Sequence, residues 1–262
     1  MENKLTEKLR QYGTCRSLLL DQIFRYIPKA TAENNTIFHT LLATCTIIVI
    51  ISVFNTTRRL TLFSLHPVFM TIGTIIFVAE GIISYRNSTL LDFLSPIMQH
   101  NKKVKARAIH QSLQTTGAIF LTLGLIFIMS HKLENEKSLI PMTSHSMLGS
   151  IAAFLIIVQV TTGQDKIAQL ESANRRVRRW HGEAGLLLWD LLCVTLLLGL
   201  LSFLPLFSFV TLLALLLVTA VWVAVHAQML GSQSLHKYDS AYDTESSSDA
   251  VSLSREGGIG GG

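Results

Sequence analysis

The chain has 262 residues; 49% are hydrophobic, 15% are charged, and the mean hydropathy is +0.43. Soluble domains carry about 25% charged residues, so a soluble globular fold, a disordered chain, a collagen and a disulfide scaffold are excluded. The formal net charge of +5 does not point to nucleic acid, because the basic residues lie between apolar runs and not along one polar face.

In chain order, a polar segment at 1–36 comes first. It lacks the early apolar core of a cleaved signal peptide, so the first apolar run is expected to serve as the insertion signal. A spanning helix needs about 20 mostly apolar residues. Six runs qualify, at 37–54, 63–84, 107–129, 142–162, 181–203 and 206–230. The last two are divided at Phe203-Leu204-Pro205, where proline favours a turn. The segment 231–262 is rich in Ser, Gly and Asp and is expected to be a disordered tail. The expected fold is therefore an all-α membrane protein of six transmembrane helices. The three cysteines, Cys15, Cys45 and Cys193, form neither a CxxC nor a CxxCH motif, which excludes covalent c-type haem attachment.

Lys and Arg set the expected orientation. Sixteen lie in the N-terminal segment and in the loops after the second and fourth spans, against four on the other side. Both termini and the two basic loops are thus expected in the cytoplasm.

Four of the nine histidines open a span: His66 the second, His110 the third, His145 the fourth and His181 the fifth. Consecutive spans run in opposite directions. His66 and His145 therefore share an outer depth, and His110 and His181 an inner one. A lone intramembrane histidine often only bonds a neighbouring helix, but four in two depth-matched pairs are functional candidates. Bis-histidine haem ligation needs such facing imidazoles on bundle helices. Zinc usually adds Cys or carboxylate to complete a tetrahedron. At 100° per residue, Gly73, Gly117, Gly124, Gly149 and Gly185 return near the histidine faces. They suit either a flat macrocycle or ordinary close helix packing. Glu80 stands at i+14 from His66 and Gln159 at i+14 from His145, on the same helix faces. Both are therefore expected near the inner pair, where a polar group can bond a histidine or a haem edge. Asp190 is expected to face away and pair with another helix.

These residues resemble the cytochrome b561 family of transmembrane di-haem electron carriers. The similarity is carried by Leu65-His66-Pro67-Val68-Phe69-Met70 with Glu80-Gly81 and Tyr85-Arg86. It continues through Ala108-Ile109-His110-Gln111 with Gly117 and Gly124, Thr143-Ser144-His145-Ser146-Met147-Leu148-Gly149, and Trp180-His181-Gly182 through Gly199. It covers roughly residues 38–230, and the closest branch is the short group of probable transmembrane reductases. Met147 departs from the pattern, standing where the family usually has an aromatic residue. The resemblance implies a domain at 37–230 with a di-haem core of the second to fifth helices, flanked by the first and sixth. It implies two non-covalent haem b groups, the outer on His66 and His145 and the inner on His110 and His181, with no separate catalytic residue. It further implies cytosolic ascorbate as donor and ferric chelate or monodehydroascorbate as acceptor across the bilayer, in an endomembrane (endoplasmic reticulum or vesicle) or the plasma membrane. Arg86, Lys105 and Arg107 are the chosen cations for substrate or propionate. The partners expected are these small molecules and lipid, without nucleic acid; a homodimer is compatible. The alternative is a histidine-dependent metal or proton transporter. Transporters favour broken helices and midplane carboxylates, whereas these histidines sit at helix ends.

Overall fold

A computed structural model describes residues 35–85, 102–173, 180–205 and 208–229. The segment 1–34, the expected tail at 231–262 and Arg86 lie outside the described residues, as do Arg175, Arg176, Arg178 and Arg179. Six helices are long and apolar enough to cross a membrane: α1 (Asn35–Thr57), α2 (Leu62–Ile83), α3 (Lys102–Glu134), α4 (Ser144–Ala173), α5 (His181–Phe203) and α6 (Phe209–Met229). The described residues contain no strand. Residues 34–225 form one compact unit, to which the packing below refers; His226–Met229 fall in a second.

The six expected runs match these helices, with differences at the ends. α3 and α4 run further at both or one of their ends because helix continues past the apolar stretch into charged sequence. The break at Pro205 holds: α5 stops at Phe203 and α6 starts at Phe209. In hydrocarbon a hydroxyl has no water to bond, so span Ser and Thr side chains bond backward to the carbonyl one turn earlier. Thr46, Ser52, Thr71, Thr195 and Thr219 all do so.

α2 and α4 begin alike. Thr61 and Ser64 exchange backbone-to-side-chain bonds at 3.2 and 2.8 Å, and Thr143 and Ser146 do the same at 3.2 and 3.0 Å. Each reciprocal pair satisfies orphan N–H groups where a helix enters the bilayer. α2 then departs from regularity. Pro67 lies inside its first segment, withholding one ladder N–H, and Ile72–Val78 is wound as π-helix. A π-turn takes one residue more than an α-turn, so the chain beyond it lags by roughly 100°.

Apolar seams hold α1 and α6 to the bundle. Phe38, Leu42, Cys45, Val49 and Val53 of α1 are buried, as are Ala214, Val218, Val221 and Val225 of α6, both sets at helical spacing. They join Trp189, Leu192, Cys193, Leu196 and Leu200 of α5 in one core cluster. Lipid tails are as apolar as these side chains, so the gain is dispersion and fit more than escape from water. One polar tie reinforces the seam: Trp222 Nε1 donates to Asp190 Oδ1 at 2.7 Å. Asp190 thus pairs with another helix, as expected.

Candidate functional site: two facing histidine pairs

The four histidine-bearing helices form two close hairpin-like couples, α2 with α3 and α4 with α5, while α3 and α4 meet much less. Glycines permit the first couple. A Cβ at Gly73 would lie 3.2 Å from the Gly117 carbonyl oxygen, and one at Gly117 would lie 3.1 Å from Val78 Cγ2. Gly73, Gly117 and Gly124 therefore serve helix packing. Beside His181 the situation reverses: a Cβ at Gly182 or Gly185 would meet nothing within 4 Å.

Each histidine is anchored inside its own couple. Its Nδ1 lies 2.9 Å from the Gly124 carbonyl for His66 and 2.6 Å from the Gly81 carbonyl for His110. The distance is 2.9 Å to the Thr195 carbonyl for His145. His181 Nδ1 instead meets a hydroxyl, Thr162 Oγ1, at 3.5 Å. A carbonyl only accepts, so Nδ1 carries the proton and Nε2 keeps a lone pair.

The rings meet across the couples. His66 faces His145 with centroids 6.1 Å apart and planes at 77°; His110 faces His181 at 6.4 Å and 83°. Two imidazoles sharing one metal ion have metal–nitrogen distances of about 2.0–2.1 Å, which with a ring radius of about 1.1 Å puts their centroids roughly 6.2–6.4 Å apart. The His110–His181 pair has that spacing at 6.4 Å, and the His66–His145 pair falls just under it at 6.1 Å. The pairing is the one read from depth alone. Gly124 stands at i+14 from His110 along α3, which separates the two levels by about 21 Å at a rise of about 1.5 Å per residue.

No three His, Cys, Asp or Glu side chains converge among the described residues, so each pair offers two nitrogen donors. A porphyrin brings its own four equatorial nitrogens and needs two axial donors from opposite helices. The open face at Gly182 and Gly185 suits such a group, and so does the buried Gln159 Oε1, which has no protein hydrogen-bond partner.

Other expected site residues are distributed unevenly. Glu80 is buried, and its Oε1 is turned to Nδ1 of His39 on α1. The π-segment explains this: a straight-helix projection from His66 misjudges every residue beyond Ile72. Arg107 stands one turn of α3 before His110 and beside Tyr85, whose ring packs 5.2 Å from that of His110. Partial burial holds the Tyr85 phenol above its ordinary pKa, and the Arg107 charge opposes the shift. Lys105 belongs to the first turn of α3, its side chain lying outside the described residues. Gln111, next to His110, donates to Gln164 of α4 at 3.1 Å, a polar tie between the couples. Lys166 follows shortly after Gln164 on α4, where its charge reaches both inner rings.

The seats of His145 and His181 escape a projection limited to the first four turns. A Cβ at Gly199 would lie 2.8 Å from His145 Cε1, and one at Gly163 would lie 3.2 Å from His181 Cε1. Gly163 stands at i+18 from His145, and Gly199 at i+18 from His181. That interval is five whole turns at about 3.6 residues per turn, so each helix puts a glycine under its neighbour's histidine on its own histidine's face. The interval was the signal available.

Comparison with known proteins bears on the same stretch of chain. The profile of the family described as Eukaryotic cytochrome b561 matches residues 65–208, which contain all four histidines. The chain is 30% identical over 144 residues to the probable transmembrane reductase CYB561D1 of Mus musculus, covering 54% of this chain and 60% of that protein. It is 28% identical over 148 residues to transmembrane ascorbate ferrireductase 2 of Arabidopsis thaliana, covering 54% and 57%. The match thus spans a little over half the length of each relative.

Proposed function

The chain belongs to the cytochrome b561 family, and on that premise we propose that it is a transmembrane reductase, carrying electrons through two non-covalent haem b groups from cytosolic ascorbate to an acceptor across the bilayer. The acceptor class is ferric chelate or monodehydroascorbate. Each haem supplies a one-electron Fe(III)/Fe(II) couple when bound. The observation that carries the reading is the cross-couple pairing at 6.1 and 6.4 Å.

On this reading His66 and His145 would hold one haem, and His110 and His181 the other. Their Nδ1 partners hold the tautomer and ring orientation that leave Nε2 for iron. The charge count puts the His110–His181 end in the cytoplasm, together with both termini. Ascorbate is an anion, and Arg107 and Lys166 focus positive potential on that end; Arg86 and Lys105 are assigned the same role. Tyr85 shields one side of His110 from water. Gln159 contributes a buried acceptor at the level of the His110–His181 pair. Relatives' names support the class of reaction: one is called a reductase and the other an ascorbate ferrireductase. The compartment proposed is an endomembrane or the plasma membrane. The transporter alternative gains nothing from Asp190 and Glu80, since Asp190 is bonded by Trp222 and Glu80 by His39.

The test is reduction of purified protein by ascorbate. Wild type is expected to be red, to contain two b-type haems per chain, and to be reduced by ascorbate. His110→Ala is expected to keep one haem and to lose rapid reduction. A colourless wild-type protein that binds zinc overturns the proposal.

A further inference from the structure

The four Nδ1 anchors follow a rule with one exception. On each helix the acceptor carbonyl belongs to a residue about four turns past that helix's own histidine, at about 3.6 residues per turn. On α3 it is Gly124, at i+14 from His110, and on α2 it is Gly81, at i+15 from His66. The extra step in α2 is the one its π-segment absorbs. On α5 it is Thr195, again at i+14, from His181. The matching position on α4, i+14 from His145, is Gln159. His181 does not use that carbonyl. The Thr162 hydroxyl stands there instead, with bonds to the Val158 and Gln159 carbonyls at 2.7 and 3.2 Å, and presents its oxygen to His181 Nδ1 at 3.5 Å. Its proton is committed to the backbone, so toward His181 it can only accept. Gly163, the next residue, leaves room for the ring.

Three of the four anchors are main-chain atoms that no side-chain substitution removes. The fourth belongs to a side chain, and it is the longest. A strong acceptor on Nδ1 raises imidazole basicity and favours the oxidised iron; a weak one does so less. Resting on the haem reading above, we infer that Thr162 is a positioning residue that fixes the His181 tautomer while keeping the inner centre easier to reduce than a carbonyl anchor would. The inner centre is thus tuned through one hydroxyl, and the outer centre is not.

The experiment is potentiometric titration of full-length holoprotein, the inner centre being identified as the one lost in His181→Ala. Thr162→Val keeps the shape and removes the acceptor. It is expected to raise the reduced-to-oxidised ratio of the inner centre about threefold at fixed potential, close to 28 mV at about 59 mV per tenfold for one electron, and to leave the outer centre unmoved. Thr162→Ser, which restores the hydroxyl, is expected to titrate as wild type. Should Thr162→Val lose haem, Thr162→Cys, with a weaker acceptor of similar size, is expected to give a smaller shift of the same sign. An unmoved inner centre in every haem-bearing non-hydroxyl variant, or equal shifts in both centres, overturns the inference. Wild type without two haems overturns the functional reading instead, so the two failures are distinguishable.

Discussion

At one end of the four-helix core, His66 and His145 have ring centroids 6.1 Å apart, both anchored to carbonyls, and Phe63, one turn before His66, packs against Phe203 and His131. At the other end, His110 and His181 have ring centroids 6.4 Å apart, and around them lie Tyr85, Arg107, Lys166 and the Gln111–Gln164 tie. The ring geometry is nearly the same, and a lysine charge reaches each end, Lys132 at His66 and Lys166 at His110 and His181; the second end adds Arg107, Tyr85 and the glutamine tie. Ring spacing gives each end the same pair of facing imidazoles; on the proposed function, the added Arg107 beside Tyr85 and His110 would set the end that receives an anionic donor. The difference also separates residues that hold a ring from those that, on the proposed function, would attract an anionic substrate.

The comparison breaks first, and with the largest effect, at the rings. His66→Ala and His110→Ala are each expected to lose half of the bound haem, and different halves, by pyridine haemochrome assay and reduced-minus-oxidised spectra. Loss of the same component in both variants would contradict the pairing. Next come the inner cations. Removing the charge in Arg107→Ala or Lys166→Ala is expected to slow ascorbate reduction roughly tenfold, since a hydrogen bond to a charged group contributes about 1.5–3 kcal/mol. Both spectra should persist, and added salt should slow wild type more than the variants. Stopped-flow traces at two ionic strengths check this.

Smaller effects sharpen the account of how rings are held. Gly199→Ala pushes a Cβ to 2.8 Å from His145 and Gly163→Ala to 3.2 Å from His181. Overpacking of this kind costs about 1–3 kcal/mol, so each variant is expected to disturb one centre's spectrum, Gly199→Ala more strongly. Gly182→Ala meets no protein atom, so a change it makes in the His110–His181 centre's spectrum reports a group seated against that open face. Smallest for the redox centres is Trp222→Phe, which leaves Asp190 without its indole donor. It is expected to lower thermal stability by about 1–3 kcal/mol without moving either spectrum.

Sequence alone carried the six helices and the pairing of the histidines, because hydropathy and alternating helix direction are both countable. Glu80 shows where counting stops. Its register depends on the π-segment, and nothing in Ile-Gly-Thr-Ile-Ile-Phe-Val announces a wider turn. The glycine seats at Gly163 and Gly199 were legible in principle at five turns. Thr162 was not, since the choice between a hydroxyl and a carbonyl is made by side-chain placement between α4 and α5. His39, which meets Glu80, carries no sequence signal of its own because it opens neither of the facing pairs.

The central claim is that these imidazoles hold two haems, one at each end. It is tested most directly by low-temperature EPR of oxidised full-length protein with its haem-to-chain ratio measured on the same sample. The account predicts two low-spin bis-imidazole signals and a ratio near two, each signal vanishing with its own pair of histidines. A high-spin spectrum, or a single signal at a ratio of one that survives replacement of His66 and of His110, would contradict it.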